Sequence, residues 1–564
     1  MDIRRTILWM IFSLSLLLLW NNWQVHNGKA SLFGTPAATQ QTSEDTARAA
    51  EKAADTSIPS GVQASQPPAA SADATVPGNA SQSAPTSEKV EVKTDVYDLT
   101  FDTQGAQLVK ASLLKYLAPG SKDEPMVLLD NSTSSTHLAQ TGVVGAPQGA
   151  SYPTHLTPFR LVSDARSLQG DKLDVVFEAE SDGVKVVKTY TLHRGSYDIQ
   201  VRHDIYNLGS QPISPSLYLQ LTRDSNDPAD SSSFYRTFTG AALYSADEKF
   251  QKISFSDIDK GKASYVKQAD NGWIGMVQHY FASAWVPPEG VARHNEALRL
   301  SNNLYAIRSI EPVGTIEPGQ HATVNANLWV GPQDQKAMSA LAPGLELVVD
   351  YGWLTIIAKP LFKIMTWIHS VLGNWGWTIV VLTLLIKLVF YPLSAASYRS
   401  MAKMKQVGPR MQALRERFGD DKAKLNAAMM EMYRTEKINP LGGCLPMVVQ
   451  IPVFISLYWV LLGSVEMRGA PWILWIHDLS VRDPWFILPA VMMATMFLQI
   501  KLNPTPPDPT QAKIMMIMPL VFGGMMFFFP AGLVLYWCVN NAVSIAQQRY
   551  IMHKLDKEKL ADAR

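Results

Sequence analysis

The apolar positions of this chain change rhythm three times. The first apolar run, Ile7 to Trp20, follows Arg4 and Arg5 and closes on Asn21, Asn22 and Trp23. Basic residues ahead of such a run begin both secretory signals and retained membrane anchors. With Trp23 the run approaches the roughly 17-residue lower limit for spanning, and no small-x-small cleavage pattern follows at once. An anchor over residues 1–24 therefore fits better than a cleaved signal. Either reading sends the next segment outside, by the positive-inside rule. Residues 25–88 are mostly Ala, Ser, Thr, Gln and Pro, with few large apolar side chains to offset the entropy of ordering, so a disordered linker is expected.

A period of two then takes over. Leu173, Val175, Phe177 and Ala179 alternate with Asp174, Val176, Glu178 and Glu180, and Asp182-Gly183 supplies a tight turn into Val184, Val186, Tyr190 and Leu192. The alternation returns at Tyr197 to Ile205, at Leu217, Leu219 and Leu221, and from Val324 to Val330. An antiparallel β-sandwich is expected over residues 89–340.

The third rhythm is helical. Leu354, Ile357, Leu361, Ile364, Met365 and Ile368 recur at helical spacing with Lys359, Lys363 and His369 between them, which predicts an amphipathic helix in the membrane interface within residues 341–373. Five apolar stretches follow in residues 374–555, near Trp375 to Leu393, Cys444 to Gly463, Trp485 to Ile500, Ile514 to Phe529 and Leu533 to Ala546. With the amino-terminal run they predict six spans, five of them forming an all-α core. The segment between the first two core spans carries ten basic residues, among them Arg399, Lys403, Arg410, Arg415 and Arg417, against half as many acids, so it is expected in the cytoplasm. Lys501 and Lys513 mark a second cytoplasmic loop, and Arg549, Lys554, Lys557 and Lys559 place the carboxyl end, including the tail 556–564, there too. Both termini are then cytoplasmic and the sandwich is outside.

That basic segment has its own pattern over residues 396–438. Met401, Met404, Val407, Met411, Leu414 and Phe418 form one seam, and Leu425, Ala428, Met429 and Met432 a second, with Gly419-Asp420-Asp421 between them. A cytoplasmic helical hairpin results. Its charges either meet anionic lipid headgroups or a partner, or are simply a solvated face.

Composition sharpens this picture at a few points. At 564 residues the chain exceeds the ~250 to 300 residues at which single cores stop growing. Charged residues are only 18% of it and hydrophobic ones 47%, against a soluble average near ~25% charged, which concentrates apolar sequence after Tyr351. A formal net charge of +1 argues against a specific nucleic-acid binder. Cys444 and Cys538 both lie in apolar runs and suggest neither disulfides nor a metal site.

Lys387 carries the most information, because it interrupts an apolar run from Thr378 to Tyr391. A lysine at the centre of a span costs about 2.5 to 3.5 kcal/mol on insertion scales, so it faces a watery cavity or a partner. The competing reading is a stem snorkelling toward the interface, since Arg399 lies roughly 18 Å further along a helix. Thr383 is one turn earlier on the same face, and Gln450, Ser456, Gln499, Asn540 and Asn541 are further polar residues in the spans. Each can serve interhelical hydrogen bonding alone, or together they can line a groove. No acidic residue in the other spans offers Lys387 a counter-ion. Nucleotide, dinucleotide and zinc-protease motifs are missing, and His137, His155, His193, His203, His279 and His294 are scattered. No catalytic residue, cofactor or metal site is expected.

Several pieces in order resemble the YidC membrane protein insertase family of Gram-negative type: Gly373-Asn-Trp-Gly-Trp377, Tyr391-Pro-Leu393, Gly419-Asp-Asp-Lys422, Asn439-Pro-Leu-Gly-Gly-Cys-Leu-Pro446, Trp475-Ile-His-Asp-Leu479 and Phe529-Pro-Ala-Gly-Leu-Val-Leu-Tyr536. The resemblance implies a large periplasmic sandwich like that of galactose mutarotases and a five-helix core around a hydrophilic groove. It places Lys387, Thr383, Gln450, Tyr536, Trp537 and Asn540 in that groove. Lys387 stands where many members have arginine, and Trp537 where a substrate-contacting tyrosine is common. The implied function is insertion and folding of inner-membrane proteins without nucleotide hydrolysis, with nascent chains, the Sec translocon, the ribosome and anionic lipids as partners. A small-solute or ion transporter using Lys387, and a tethered sugar-binding enzyme using the sandwich, are the competing classes.

Overall fold

The computed structural model of the chain describes residues 58–59, 87–228, 237–301, 303–418, 421–436, 445–503 and 509–562. The expected anchor, nearly all of the linker, Gly419-Asp420 of the hairpin turn, the stretch Asn439 to Cys444 and the end of the tail lie outside the described residues. The chain divides into two compact units, Met1–Val348 and Val349–Arg564.

The first unit holds two antiparallel sheets of nine strands each. One runs in the order Lys89–Lys93, Tyr97–Asp102, Gln107–Leu117, Pro125–Asn131, Thr136–Val144, Ser216–Asp224, Leu304–Pro312, Arg293–Ser301 and Gln268–Ala269. The other runs Lys249–Ile253, Gly240–Ser245, Trp273–Gln278, Phe281–Val286, His321–Pro332, Asp198–Asn207, Val184–His193, Lys172–Ser181 and Arg160–Leu161. The expected hairpin is present as Lys172–Ser181 and Val184–His193. Its two-residue turn needs positive φ at both central positions, and Asp182 and Gly183 supply φ of 47° and 76°.

Leu173, Val175, Phe177, Val186, Tyr190 and Leu192 from one sheet and Leu217, Leu219 and Leu221 from the other are all buried. Polar groups also join the sheets. His203 Nε2 lies 2.9 Å from Thr141 Oγ1, His137 Nε2 lies 2.9 Å from Ser283 Oγ, and Trp285 Nε1 donates to the Gln220 carbonyl at 3.0 Å. Lys188 is fully buried in phase with the apolar positions of its strand, and its ammonium donates to the carbonyls of Gly105 at 2.7 Å and Thr141 at 2.9 Å. Three of the scattered histidines, His137, His155 and His203, thus serve the sandwich interior and its flanks as bonded, buried groups.

The second unit is helical. Helix α1 (Thr355–Leu372) buries Ala358, Phe362, Met365 and Ile368 and leaves Ile356, Trp367 and Val371 exposed. It is shorter than the segment 341–373 anticipated for it, because Leu345–Val348 and Gly352–Leu354 form separate short 3-10 turns. Gly373, at φ 65°, ends α1, and the Asn374 side chain accepts from Trp377 N to start α2 (Trp375–Val389). Then come α3 (Tyr391–Phe418), α4 (Lys422–Thr435), α5 (Leu445–Gly463), α6 (Ile487–Leu502), α7 (Pro509–Met525) and α8 (Ala531–Asp562).

Among the described residues no single helix is long and apolar enough to cross a membrane, whereas α2 and α3 together meet that test, bent by 65°. The bend falls where the sequence places Pro392. Pro392 sits in the first turn of α3, where a proline is well tolerated and where its missing N–H cannot bond back into α2. Four of the apolar stretches read as spans appear as helices of 15 to 19 residues in α2, α5, α6 and α7.

Burial lowers the pKa of His155 and of His203 from 6.5 to about 3, and the nearby Lys188 ammonium acts in the same direction. Each of these histidines therefore binds fewer protons folded than unfolded between about 3 and 6.5, so acidification through that window costs stability at both, offset in part by Asp198 and Glu311, whose carboxyls burial raises to about 6 and about 7. Burial also lowers Lys188 from 10.5 to about 7, so stability rises further with pH between those values. Denaturant titration of the intact protein, followed by β-sheet circular dichroism, is expected to show a midpoint falling steadily from pH 6.5 to 4, with a shallower fall for His203→Gln. A midpoint independent of pH contradicts this reading.

Candidate functional site

The face of α2 decides where Lys387 points. Ile379, Leu382, Thr383 and Ile386 are buried, while Leu384, Leu388 and Val389 are exposed, Leu388 by 73%. Lys387 belongs to the buried set at 5% exposure. Its ammonium turns inward and donates to Ser544 Oγ at 2.8 Å and to Gln450 Oε1 at 3.5 Å. The stem does not snorkel in this arrangement.

Three helices bring this cluster together. Gln450 from α5 donates to Asn540 Oδ1 on α8 at 3.0 Å, leaving its own oxygen for Lys387. Ser544 donates to the Asn540 carbonyl at 2.7 Å, leaving its lone pairs for the ammonium. Gln547 donates to the Lys387 carbonyl at 3.4 Å, and Tyr398 from α3 donates to the Ser544 carbonyl at 3.4 Å. Among the described residues every hydrogen-bond acceptor of the Lys387 ammonium is neutral. A cation held only by neutral oxygens inside an apolar bundle keeps a large unmet demand for solvation.

One turn before Asn540, aromatic rings line the same helices. Tyr536 is buried and stacks on Phe454 at 5.9 Å. Trp537 sits between Phe454 at 4.5 Å and Phe522 at 5.2 Å, with its indole N–H buried and without a partner among the described residues. The polar cluster around Lys387 thus adjoins an apolar set of aromatic rings.

The opposite end of α2 and α8 is tied shut by the segment Ser464 to Phe486. Asn374 Nδ2 donates to the carbonyls of Pro471 and Trp472 at 3.1 and 3.3 Å, and Gly376 lies so close to the Trp472 indole that a Cβ would collide with it. Ala531 N donates to the Val481 carbonyl at 2.7 Å and Gly532 N to the Leu479 carbonyl at 2.9 Å. Asp483, itself buried, accepts from Trp475 Nε1, Trp485 N and Leu488 N at 3.0, 3.0 and 2.7 Å. Its carboxylate starts α6 and pins the closing segment to it.

Not every anticipated residue joins the cluster. Thr383 lies on the buried face, but its hydroxyl donates to the Ile379 carbonyl of its own helix at 2.7 Å, and the Lys387 ammonium bonds Ser544 and Gln450 instead. Asn541 bonds Thr495 of α6 at 3.3 Å and so joins two helices, whereas Ser456 bonds the Pro452 carbonyl of its own helix at 2.8 Å. Ser544, Tyr398 and Gln547 were missed. Ser544 falls one turn after Asn540 and Gln547 two turns after it, a spacing that puts all three on one face.

The basic hairpin is formed by α3 and α4. Val407 and Met411 are buried in its seam, Tyr433 donates to Met411 Sδ at 3.2 Å, and Asp421 accepts from Ala423 N and Lys424 N to start α4. Arg399, Lys403, Arg410 and Arg417 are exposed. Arg410 is engaged by Glu436 across the hairpin, and Arg417 lies 5.4 Å from the Phe418 ring. The Arg415 side chain lies outside the described residues.

Residues 89–364 match the family described as YidC periplasmic domain, and residues 367–558 match that described as 60Kd inner membrane protein. The chain is 70% identical over 567 aligned residues, covering 100% of both chains, to the membrane protein insertase YidC of Bordetella parapertussis. It is 54% identical to that of Cupriavidus metallidurans, over 100% of this chain and 99% of the relative. Among solved structures it is similar to an active YidC insertase crystal structure with the first transmembrane domain resolved, at 18% identity and a TM-score of 0.37, covering 81% of this chain and 91% of that one.

The Lys387–Ser544 bond is open to a double-mutant cycle. Combining Lys387→Met with Ser544→Ala and following unfolding in mixed micelles is expected to give a coupling energy of about 1.5 to 3 kcal/mol, the range for hydrogen bonds to charged groups. Additive effects would show that the two side chains do not share a bond.

Proposed function

The chain belongs to the YidC family of membrane protein insertases, and from that premise we propose that the cluster around Lys387 is the floor of a hydrated groove through which polar segments enter the bilayer. It is an inner-membrane protein with a periplasmic domain, and it acts on nascent membrane proteins. The observation that supports the groove is Lys387 itself, a buried cation whose bonds among the described residues are all to neutral oxygens.

The physical gain is a shorter dry path. A hydrophilic segment crossing ~30 Å of hydrocarbon leaves backbone groups unpaired at several kcal/mol each. Water held part-way into the bilayer by Lys387, Gln450, Asn540 and Ser544 removes much of that barrier. Polar groups of the incoming chain can replace the same water, and an acidic side chain would meet the ammonium directly. Phe454, Phe522, Tyr536 and Trp537 offer the apolar part of the substrate a surface before it leaves for lipid, and burial of its own apolar helix then drives release. No covalent step is required.

The closing segment around Asp483 is assigned to the outer, periplasmic end, because the basic α3–α4 hairpin then lies in the cytoplasm with both termini. On that orientation Arg399, Lys403 and Arg417 are free to meet anionic headgroups, the ribosome or the Sec translocon. Arg410 contributes more to holding α4 against α3 through Glu436.

Reconstitution in lipid vesicles with a small single-span substrate, scored by protease protection, tests the groove. Lys387→Ala is expected to reduce protection, and Lys387→Glu, which reverses the field felt by acidic substrate segments, to reduce it further. Undiminished protection by Lys387→Glu would remove Lys387 from the insertion path.

A further inference from the structure

The segment 25–88 reads as one uninterrupted polar tether, yet Ile58 and Pro59, near its middle, are placed in the structure. Ile58 packs against Val144, Tyr218 and Ile310, and Pro59 is buried. These three partners come from adjacent strands of the sheet that begins at Lys89, with Tyr218 directly opposite Ile310. They lie on the face of that sheet turned away from Leu217, Leu219 and Leu221, since neighbouring residues of a strand point to opposite faces. The seat is stiff. The Tyr218 hydroxyl accepts from His155 N at 3.1 Å and bonds the His155 ring, and a Cβ at Gly142 would collide with the Tyr218 ring.

The sequence around the contact suits this seat. Ser57-Ile58-Pro59-Ser60 places one large aliphatic side chain directly before a proline. The proline biases Ile58 to an extended backbone before contact, which lowers the entropy lost on docking. In a segment of Ala, Ser, Thr, Gln and Pro, such a residue has few rivals for an apolar seat.

We propose that Ile58–Pro59 is an intramolecular docking motif that fastens the middle of the amino-terminal tether to the outer face of the first sheet. Only residues 25–57 then connect the amino-terminal segment to the docked point, in place of residues 25–88. The docked pair also occupies the face, so a second protein carrying an extended aliphatic-proline segment gains access to it only when Ile58 is released. The motif therefore sets both how far the periplasmic sandwich stands from the amino-terminal segment and whether this face is open.

Two readouts on the full chain, with Cys444→Ser and Cys538→Ala removing the native thiols, test it. Ile58→Cys paired with Val144→Cys is expected to form a disulfide under mild oxidation, seen by mobility on non-reducing gels, well ahead of a Val76→Cys/Val144→Cys control. Equal rates for the two pairs would overturn the proposal. In the second readout Val144→Cys alone is labelled with a water-soluble maleimide, and Ile58→Asp is expected to raise the labelling rate by roughly tenfold. Ile58 lies outside every strand, so this variant leaves the sandwich intact, and an unchanged rate would equally overturn the proposal.

Discussion

A single ammonium group organises the helical unit. Lys387 stands in a mostly apolar helix, and three other helices contribute polar atoms around it: Gln450, Asn540 and Ser544 at the bond network itself, Tyr398 and Gln547 behind it. Each donor is used so that an oxygen remains free for the lysine, as when Ser544 spends its proton on the Asn540 carbonyl. Removing the lysine would leave these oxygens without a donor, and removing the oxygens would leave a bare charge in a low-dielectric bundle. Because the partners are neutral, the charge is positioned but not cancelled. That residual field is what an incoming polar or acidic segment would meet.

The same unit closes at its other end by a different means. There Asp483 is fully matched, with three N–H donors on one carboxylate, and backbone bonds from Ala531 and Gly532 stitch the closing segment to α8. On the proposed reading, an acid held by three N–H donors at one end and a base held only by neutral oxygens at the other set a closed side against a side that draws in water. An insertase needs that asymmetry, since a groove open at both ends would leak and one closed at both would admit nothing.

Much of the sandwich was legible in the sequence because a two-residue period has a single physical reading when one face is buried. Leu173 to Ala179 and the Asp182-Gly183 turn are found as expected, and His203 falls among the core positions whose phase it shares. The helical unit was legible in outline only. Apolar stretches do not reveal where a helix stops, so neither the break at Phe390 nor the long α3 that opens on Tyr391-Pro392 was legible in the hydropathy. Lys387, Gln450 and Asn540 stood out as polar residues in apolar surroundings. Ser544 did not, because a small hydroxyl in a span usually bonds its own backbone, as Thr383 does. Ile58 was lost in the linker for the converse reason, since one aliphatic residue carries no period.

The central claim is that the Lys387 cluster faces water rather than lipid. In vesicles holding the Cys444→Ser/Cys538→Ala protein, a single cysteine at Asn540, half-buried in the groove, can be compared with one at Leu384, which is exposed on the opposite face of α2. A membrane-impermeant maleimide is predicted to label the cysteine at 540 readily and the one at 384 slowly, despite the greater exposure of the latter in the protein alone. Rapid labelling at 384 with none at 540 would place lipid where the account requires water.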